Sequence, residues 1–189
     1  DYTLKATPAA AGGPRLWLLG SSMYSAHLAA AKGLPYVFAH HFSGNGTEEA
    51  LEVYRSRFKP SELTAEPLTF LTVNAAVAET REEATASMLP NLQMMARLRT
   101  GQPLGPVPLV EEAAVAELTG QQQRIVESGL QRAVLGGPAD AADQIRALAE
   151  RFGVDEVMVN PVASAHSGTD PGAAPARVAT LELLAKELF

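Results

Sequence analysis

The chain alternates short apolar runs with longer stretches of helical period. Leu16, Trp17, Leu18 and Leu19 are all apolar. That is the pattern of a strand covered on both faces, as in a parallel sheet. Gly20 permits a sharp turn, and Ser21 or Ser22 can cap a helix over 23–32. Its Ala26, Ala29 and Ala30 share one side, and Gly33 suits the left-handed position that ends it. A second apolar strand is predicted over 35–39, running out into His40, His41 and Phe42. Thr47 is expected to cap a helix through 58. Glu48 and Glu49 stand at its positive end, Arg55 and Arg57 at its negative end, and Leu51, Tyr54 and Phe58 form its buried stripe. A third strand spans 68–78, with Asn74 read as a paired amide.

Thr80 and Glu83 have capping-box spacing, a firm helix start. The helix should reach about residue 99, with Pro90 expected to kink or split it. Met88, Met94 and Met95 lie along it as core filler. Short helices are predicted over 111–118 and 121–130. The stretch 84–135 is longer than a crossover helix requires and reads as a helical insertion, closed by 134–137. Pro138 opens a helix to 152 with a stripe of Ala142, Ile145, Leu148, Ala149 and Phe152. A fourth strand over 156–160 stops at Pro161. A small, polar loop containing His166 leads to a last helix from about 176.

This order predicts an α/β fold: four parallel strands with outer helices and an insertion before the last βα unit, all in one domain over 1–189. Four βα units are half of a TIM-type barrel, which needs about 250 residues. An open four-stranded sheet is the other architecture. Residues 1–14 read as loop, and their abrupt run into a buried strand favours the carboxyl-terminal half of a split barrel.

The 189 residues are 47% hydrophobic, enough for a sizeable core, with a formal net charge of -6. That charge argues against nucleic-acid binding, which rests on Lys and Arg neutralising phosphates. Without cysteine there is no disulfide framework or thiolate site. The apolar runs are too short to span a membrane, and a cytoplasmic location is the simplest expectation.

The candidate chemistry sits at the first turn. The hydroxyls of Ser21, Ser22 and Ser25 and the free N–H groups of the helix start can converge on one anion, although plain helix caps would have the same sequence. His40 and His41 stand at the carboxyl end of a strand, where α/β folds place ligands. Adjacent strand residues point in opposite directions, so the pair suits no metal; one should be structural and the other face a pocket. The residues alone leave open a phosphate-binding α/β module for some other nucleotide.

The run from Trp17 to Phe42, with Gly20-Ser21-Ser22, Ser25-Ala26, Gly33-Leu34-Pro35-Tyr36 and Phe38-Ala39-His40-His41-Phe42, resembles the bacterial luciferase-like, flavin-dependent monooxygenases. Tyr54-Arg55, Phe58-Lys59-Pro60-Ser61, Glu79-Thr80-Arg81-Glu82-Glu83 and Gly136-Gly137-Pro138 extend the likeness along the chain. The resemblance implies the second half of a (β/α)8 barrel, its four strands being the fifth to eighth. It implies reduced FMN from a separate reductase, and oxygen-dependent oxidation of a small organic substrate such as an aldehyde. Gly20, Ser21, Ser22, Tyr24 and Ser25 would hold the phosphate side, and Ala39, His40 and His41 the ring side. A catalytic side chain is not implied. A deazaflavin-dependent oxidoreductase and a non-catalytic flavin-binding half barrel are the alternatives. Nothing matches the family's first four strands, so a homodimer or pairing with the missing half is expected.

Overall fold

The computed structural model describes residues 12, 14–42 and 44–189. Five strands and seven helices occur among them. They are β1 (Leu18–Gly20), α1 (Met23–Lys32), β2 (Tyr36–Phe38), α2 (Thr47–Ser56), β3 (Leu71–Val77) and α3 (Arg81–Arg99). Then follow α4 (Val110–Ala114), α5 (Gly120–Arg132), β4 (Val134–Gly136), α6 (Pro138–Phe152), β5 (Val157–Pro161) and α7 (Pro175–Leu188). The loop expected over 1–14 lies, apart from Gly12 and Pro14, outside the described residues. No described helix is long and apolar enough to cross a membrane.

All pairings are parallel, β1 with β2 and β3 with both β4 and β5. The short β4 is a fifth strand that the sequence pattern did not signal, since Val134, Leu135 and Gly136 give too little length for a period. Between β2 and β3 the ladder is replaced by separate bonds. Tyr36 N–H donates to Leu68 O at 3.0 Å. The Thr72 hydroxyl donates to Phe38 O at 3.3 Å.

Alternation along β3 sorts the two faces. Leu71, Val73, Ala75 and Val77 pack in the core with Ala29 and Ala30 of α1, Leu51 and Tyr54 of α2, Ile145 of α6 and Leu184 of α7. The opposite face carries Thr72 and Asn74, level with Met158 and Asn160 of β5. Near its carboxyl end, α3 and α5 cover it with a second cluster that joins Ala76 to Met88, Leu92 and Val126. Elsewhere it is open in part: Leu19 is 60% and Met158 46% exposed, whereas Thr72 is 0% exposed.

Two local expectations change. Pro90 does not split α3, which runs unbroken through it. Proline lacks the N–H that would reach Ala86 O, four residues back. In the same turn Ser87 O accepts Ser164 N–H at 2.9 Å from the loop after β5, and Pro90 itself is buried. Thr47 is the first residue of α2, not its cap; Gly46, at φ 79°, precedes it. The Thr47 hydroxyl turns back to Gly44 O at 3.1 Å.

Gly33 shows why the 58–61 segment is built as it is. It ends α1 at φ 61°, and a Cβ there would lie 2.4 Å from Lys59 O and 2.6 Å from Ser61 Cβ. The close approach lets Ser61 Oγ donate to Gly33 O at 2.7 Å and Lys59 N–H to Ala30 O at 2.9 Å. The loop after α2 therefore satisfies the carboxyl end of α1.

Candidate functional site

The residues singled out at the first turn and after the second strand meet at the carboxyl ends of β1 and β2. Ala39 N–H donates to Gly20 O at 2.9 Å, which ties the two strand ends together. Ser22 is the cap residue of α1 in extended conformation, and its hydroxyl makes no cap bond. Ser21, Ser22 and Tyr24 are exposed, and the first turn of α1 carries no acidic residue. Among the described residues the Ser21 and Ser22 hydroxyls have no partner, and they lie with the Met23 and Tyr24 N–H groups at the positive end of the helix dipole, while the Ser25 N–H donates to Ser22 O at 3.1 Å.

Ser25 is different. It is 8% exposed. Its Oγ donates to Ser22 O at 2.6 Å and lies 3.1 Å from the Tyr36 hydroxyl. Its side chain fills the space over Gly20, where an added Cβ would come within 2.3 Å of both Ser25 Cβ and Oγ. The three serines of the turn therefore divide: Ser21 and Ser22 present hydroxyls outward, while Ser25 holds the turn from inside.

His40 and His41 lie in the turn after β2 and bond to different partners, yet both line one cavity, so the expected division into one structural and one pocket residue does not hold. His40 Nδ1 lies 2.8 Å from Thr47 Oγ1, and the ring packs edge-on against Phe152 at 5.2 Å. The Thr47 hydrogen is committed to Gly44 O, so Nδ1 donates and Nε2 carries the lone pair. His41 Nδ1 lies 2.7 Å from Thr72 Oγ1. Asn74 Nδ2 donates to His41 O at 2.8 Å, and Asn74 Oδ1 accepts from Asn160 Nδ2 at 2.8 Å, the paired amide expected of it. A row of polar groups thus runs from His41 across β3 to β5 on the open face of the sheet.

Both histidines line a cavity with Phe42, Asn74, Leu92, Arg99 and Arg132. It holds about 40 Å³, space for one or two waters and far too little for a flavin ring. The serine turn fits a phosphate, and a ring laid against the histidines would need the open face of the sheet. No cluster able to hold a metal occurs among the described residues.

Burial, and then the charges of Arg132, Arg151 and His41, push the His40 pKa down to about 4. Burial lowers that of His41 as well. Both rings are therefore neutral at pH 7. Between pH 6.5 and about 4 the unfolded chain binds a proton at His40 that the folded chain refuses. Stability is therefore complete above pH 6.5 and falls as the pH drops through that window. Urea midpoints taken between pH 7 and 4.5 should decline, with a shallower decline in His40→Gln. An equal slope in that variant would remove His40 from the account.

Thr72, Asn160, Arg99 and Arg132 were not signalled as site residues. The period of β3 offers a cue for Thr72, two residues before Asn74. The arginines offer none, because α3 and α5 meet only in the folded chain.

Comparison with known proteins identifies the family and the fold. The profile of the luciferase-like monooxygenase family matches residues 2–156. A luciferase-like monooxygenase of Escherichia coli strain K12 is 33% identical over 145 residues, which are 77% of this chain and 43% of that protein. The chain spans about half the length of the curated relatives it matches. Crystalline apo-MsnO8 superposes with a TM-score of 0.74 at 28% identity, over 97% of this chain and 54% of that one. The oxygenating constituent of 3,6-diketocamphane monooxygenase of Pseudomonas putida, in complex with FMN, shares the fold. Its TM-score is 0.54 at 18% identity, over 93% of this chain and 48% of that one. With parallel strands and helices that match about half of such a barrel, the chain belongs to the luciferase-like monooxygenase family.

Proposed function

We propose that the chain forms the carboxyl-terminal half of a flavin-dependent monooxygenase and carries the phosphate side of its FMN site. The observation that carries this reading is the turn from Gly20 to Tyr24, where Ser22 caps a helix without using its hydroxyl on that helix. Membership of the family supports it, as does FMN in the diketocamphane relative. Ser21, Ser22 and the first N–H groups of α1 hold the phosphate. Gly20 and Ser25 fix the turn. His41, oriented by Thr72 and bonded through its carbonyl to Asn74, lies on the ring side. Bound reduced FMN supplies the electrons with which oxygen is split between substrate and water.

The open face of the sheet, with Leu19 and Met158 exposed, is the surface for the other half of the barrel, from a longer chain or from a second copy. Family membership and the half-length matches support that pairing.

The test supplies a separate reductase, NADH, FMN and ¹⁸O₂ with a panel of small aldehydes and ketones. The expected result is a product that carries one ¹⁸O atom and depends on both substrate and protein. FMN binding without label in any product would favour the second reading, a flavin-binding half barrel without catalysis.

A further inference from the structure

Two guanidiniums converge beside the cavity. Arg99, at the end of α3, donates through Nη2 to Phe42 O, and its Cζ lies 5.7 Å from the centre of the Phe42 ring. Arg132, at the end of α5, donates through Nη1 to Ser128 Oγ. Its side chain passes so close to Gly44 that a Cβ there would lie 2.6 Å from Arg132 Cδ. Arg99 thus bonds Phe42, and Arg132 packs against Gly44, one arginine from each helix.

Neither charge is balanced. Among the described residues the salt bridges within 4 Å join Arg146 to Asp143, Arg151 to Glu48 and His166 to Glu111. Each guanidinium has five N–H donors and commits one of them to a described residue. Burial and the charge of Arg99 hold the Arg132 pKa below its ordinary value, as expected of two like charges held close together. The histidines add no positive charge at neutral pH. The cavity between these groups is lined on its other side by Leu92, Met95 and Ile125.

A paired positive charge against an apolar wall matches a particular chemistry. An oxyanion can take the free N–H donors in bidentate fashion. The cavity, about 40 Å³, takes the head group alone, so the carbon attached to it, which inorganic ions lack, would lie outside it along the open face of the sheet. The site stands on α3, α5 and the segment after β2, apart from the serine turn after β1. From this we propose that Arg99 and Arg132 bind the carboxylate of an organic acid, so that the oxidised substrate is itself a carboxylate bearing an apolar group. The word substrate rests on the monooxygenase reading; the anion site rests on the arginines alone.

The experiment titrates hexanoate and hexanamide separately against ¹⁵N-labelled chain and follows the amides of Phe42, Gly44, Gly129 and Ala133. Hexanoate should shift them saturably, and hexanamide should bind at least tenfold more weakly. Arg99→Gln/Arg132→Gln should remove that preference. Arg99→Gln alone, at an exposed position, should reduce it severalfold and serves if the double variant does not fold. Both variants should keep any preference for FMN over riboflavin. Equal binding of acid and amide, or a preference that survives in the variants, would overturn the proposal. So would loss of FMN preference in the variants, since the arginines would then belong to the flavin phosphate. Failure of the ¹⁸O assay alone would leave the hexanoate result standing and would strike only the catalytic reading.

Discussion

Gly20→Ala should cost about 3 kcal/mol of unfolding free energy, and Ser25→Gly added to it should return about 1 kcal/mol of that loss. The new methyl group would sit 2.3 Å from Ser25 Cβ, an atom fixed to the backbone of α1 that no rotamer change can move. The turn would have to open, or α1 would have to shift away from β1. Ser25→Gly alone removes the bonds to Ser22 O and Tyr36 and places glycine in a helix, a cost of about 2 kcal/mol. In the double variant the clash is gone and the single-variant cost of Ser25→Gly remains. Urea unfolding should therefore give a double variant more stable than Gly20→Ala. Additive losses would mean that the turn yields easily and that Gly20 is not what shapes it.

The same geometry separates what the sequence revealed from what it concealed. The glycine–serine turn was legible because its residue types are selected locally, by φ, by capping and by small size. Its boundaries followed, and α1 begins at Met23 as expected. The inward turn of Ser25 was hidden, because it depends on the Tyr36 hydroxyl eleven residues away on another strand. Pro90 misled for a similar reason. Intrinsic propensity breaks a helix there, and tertiary packing overrides it: Pro90 is buried, and the loop after β5 bonds to the adjacent turn. His40 and His41 were read with the period of a strand, yet they lie in the turn after β2, and both are hydrogen-bonded and line one cavity. Their partners Thr47 and Thr72 were beyond that reading, since a period assigns a direction and says nothing of what waits there. Arg99 and Arg132 mark the limit most clearly. They are 33 positions apart, on helices whose packing around Leu92 and Val126 decides where their side chains meet.

The second large effect concerns the phosphate. If the turn after β1 grips it, most of the flavin affinity of this chain comes from one end of the ligand. A phosphate gains charge-assisted hydrogen bonds from N–H groups and hydroxyls, and the helix dipole adds to them. Each such bond contributes about 1.5–3 kcal/mol, so losing the group should weaken binding at least tenfold, where 1.4 kcal/mol is one factor of ten. The flavin ring contributes less on this chain alone, since the 40 Å³ cavity beside His41 cannot enclose it. Ser22→Ala should weaken FMN severalfold and leave riboflavin unchanged, because Ser22 makes no cap bond whose loss would disturb α1.

The most direct measurement is therefore a parallel titration of FMN and riboflavin against this chain, followed by flavin fluorescence. FMN should bind at least tenfold more tightly than riboflavin, and Ser22→Ala should narrow the gap. Equal affinity for the two flavins, or no binding of FMN, would contradict the phosphate grip at Gly20 to Tyr24.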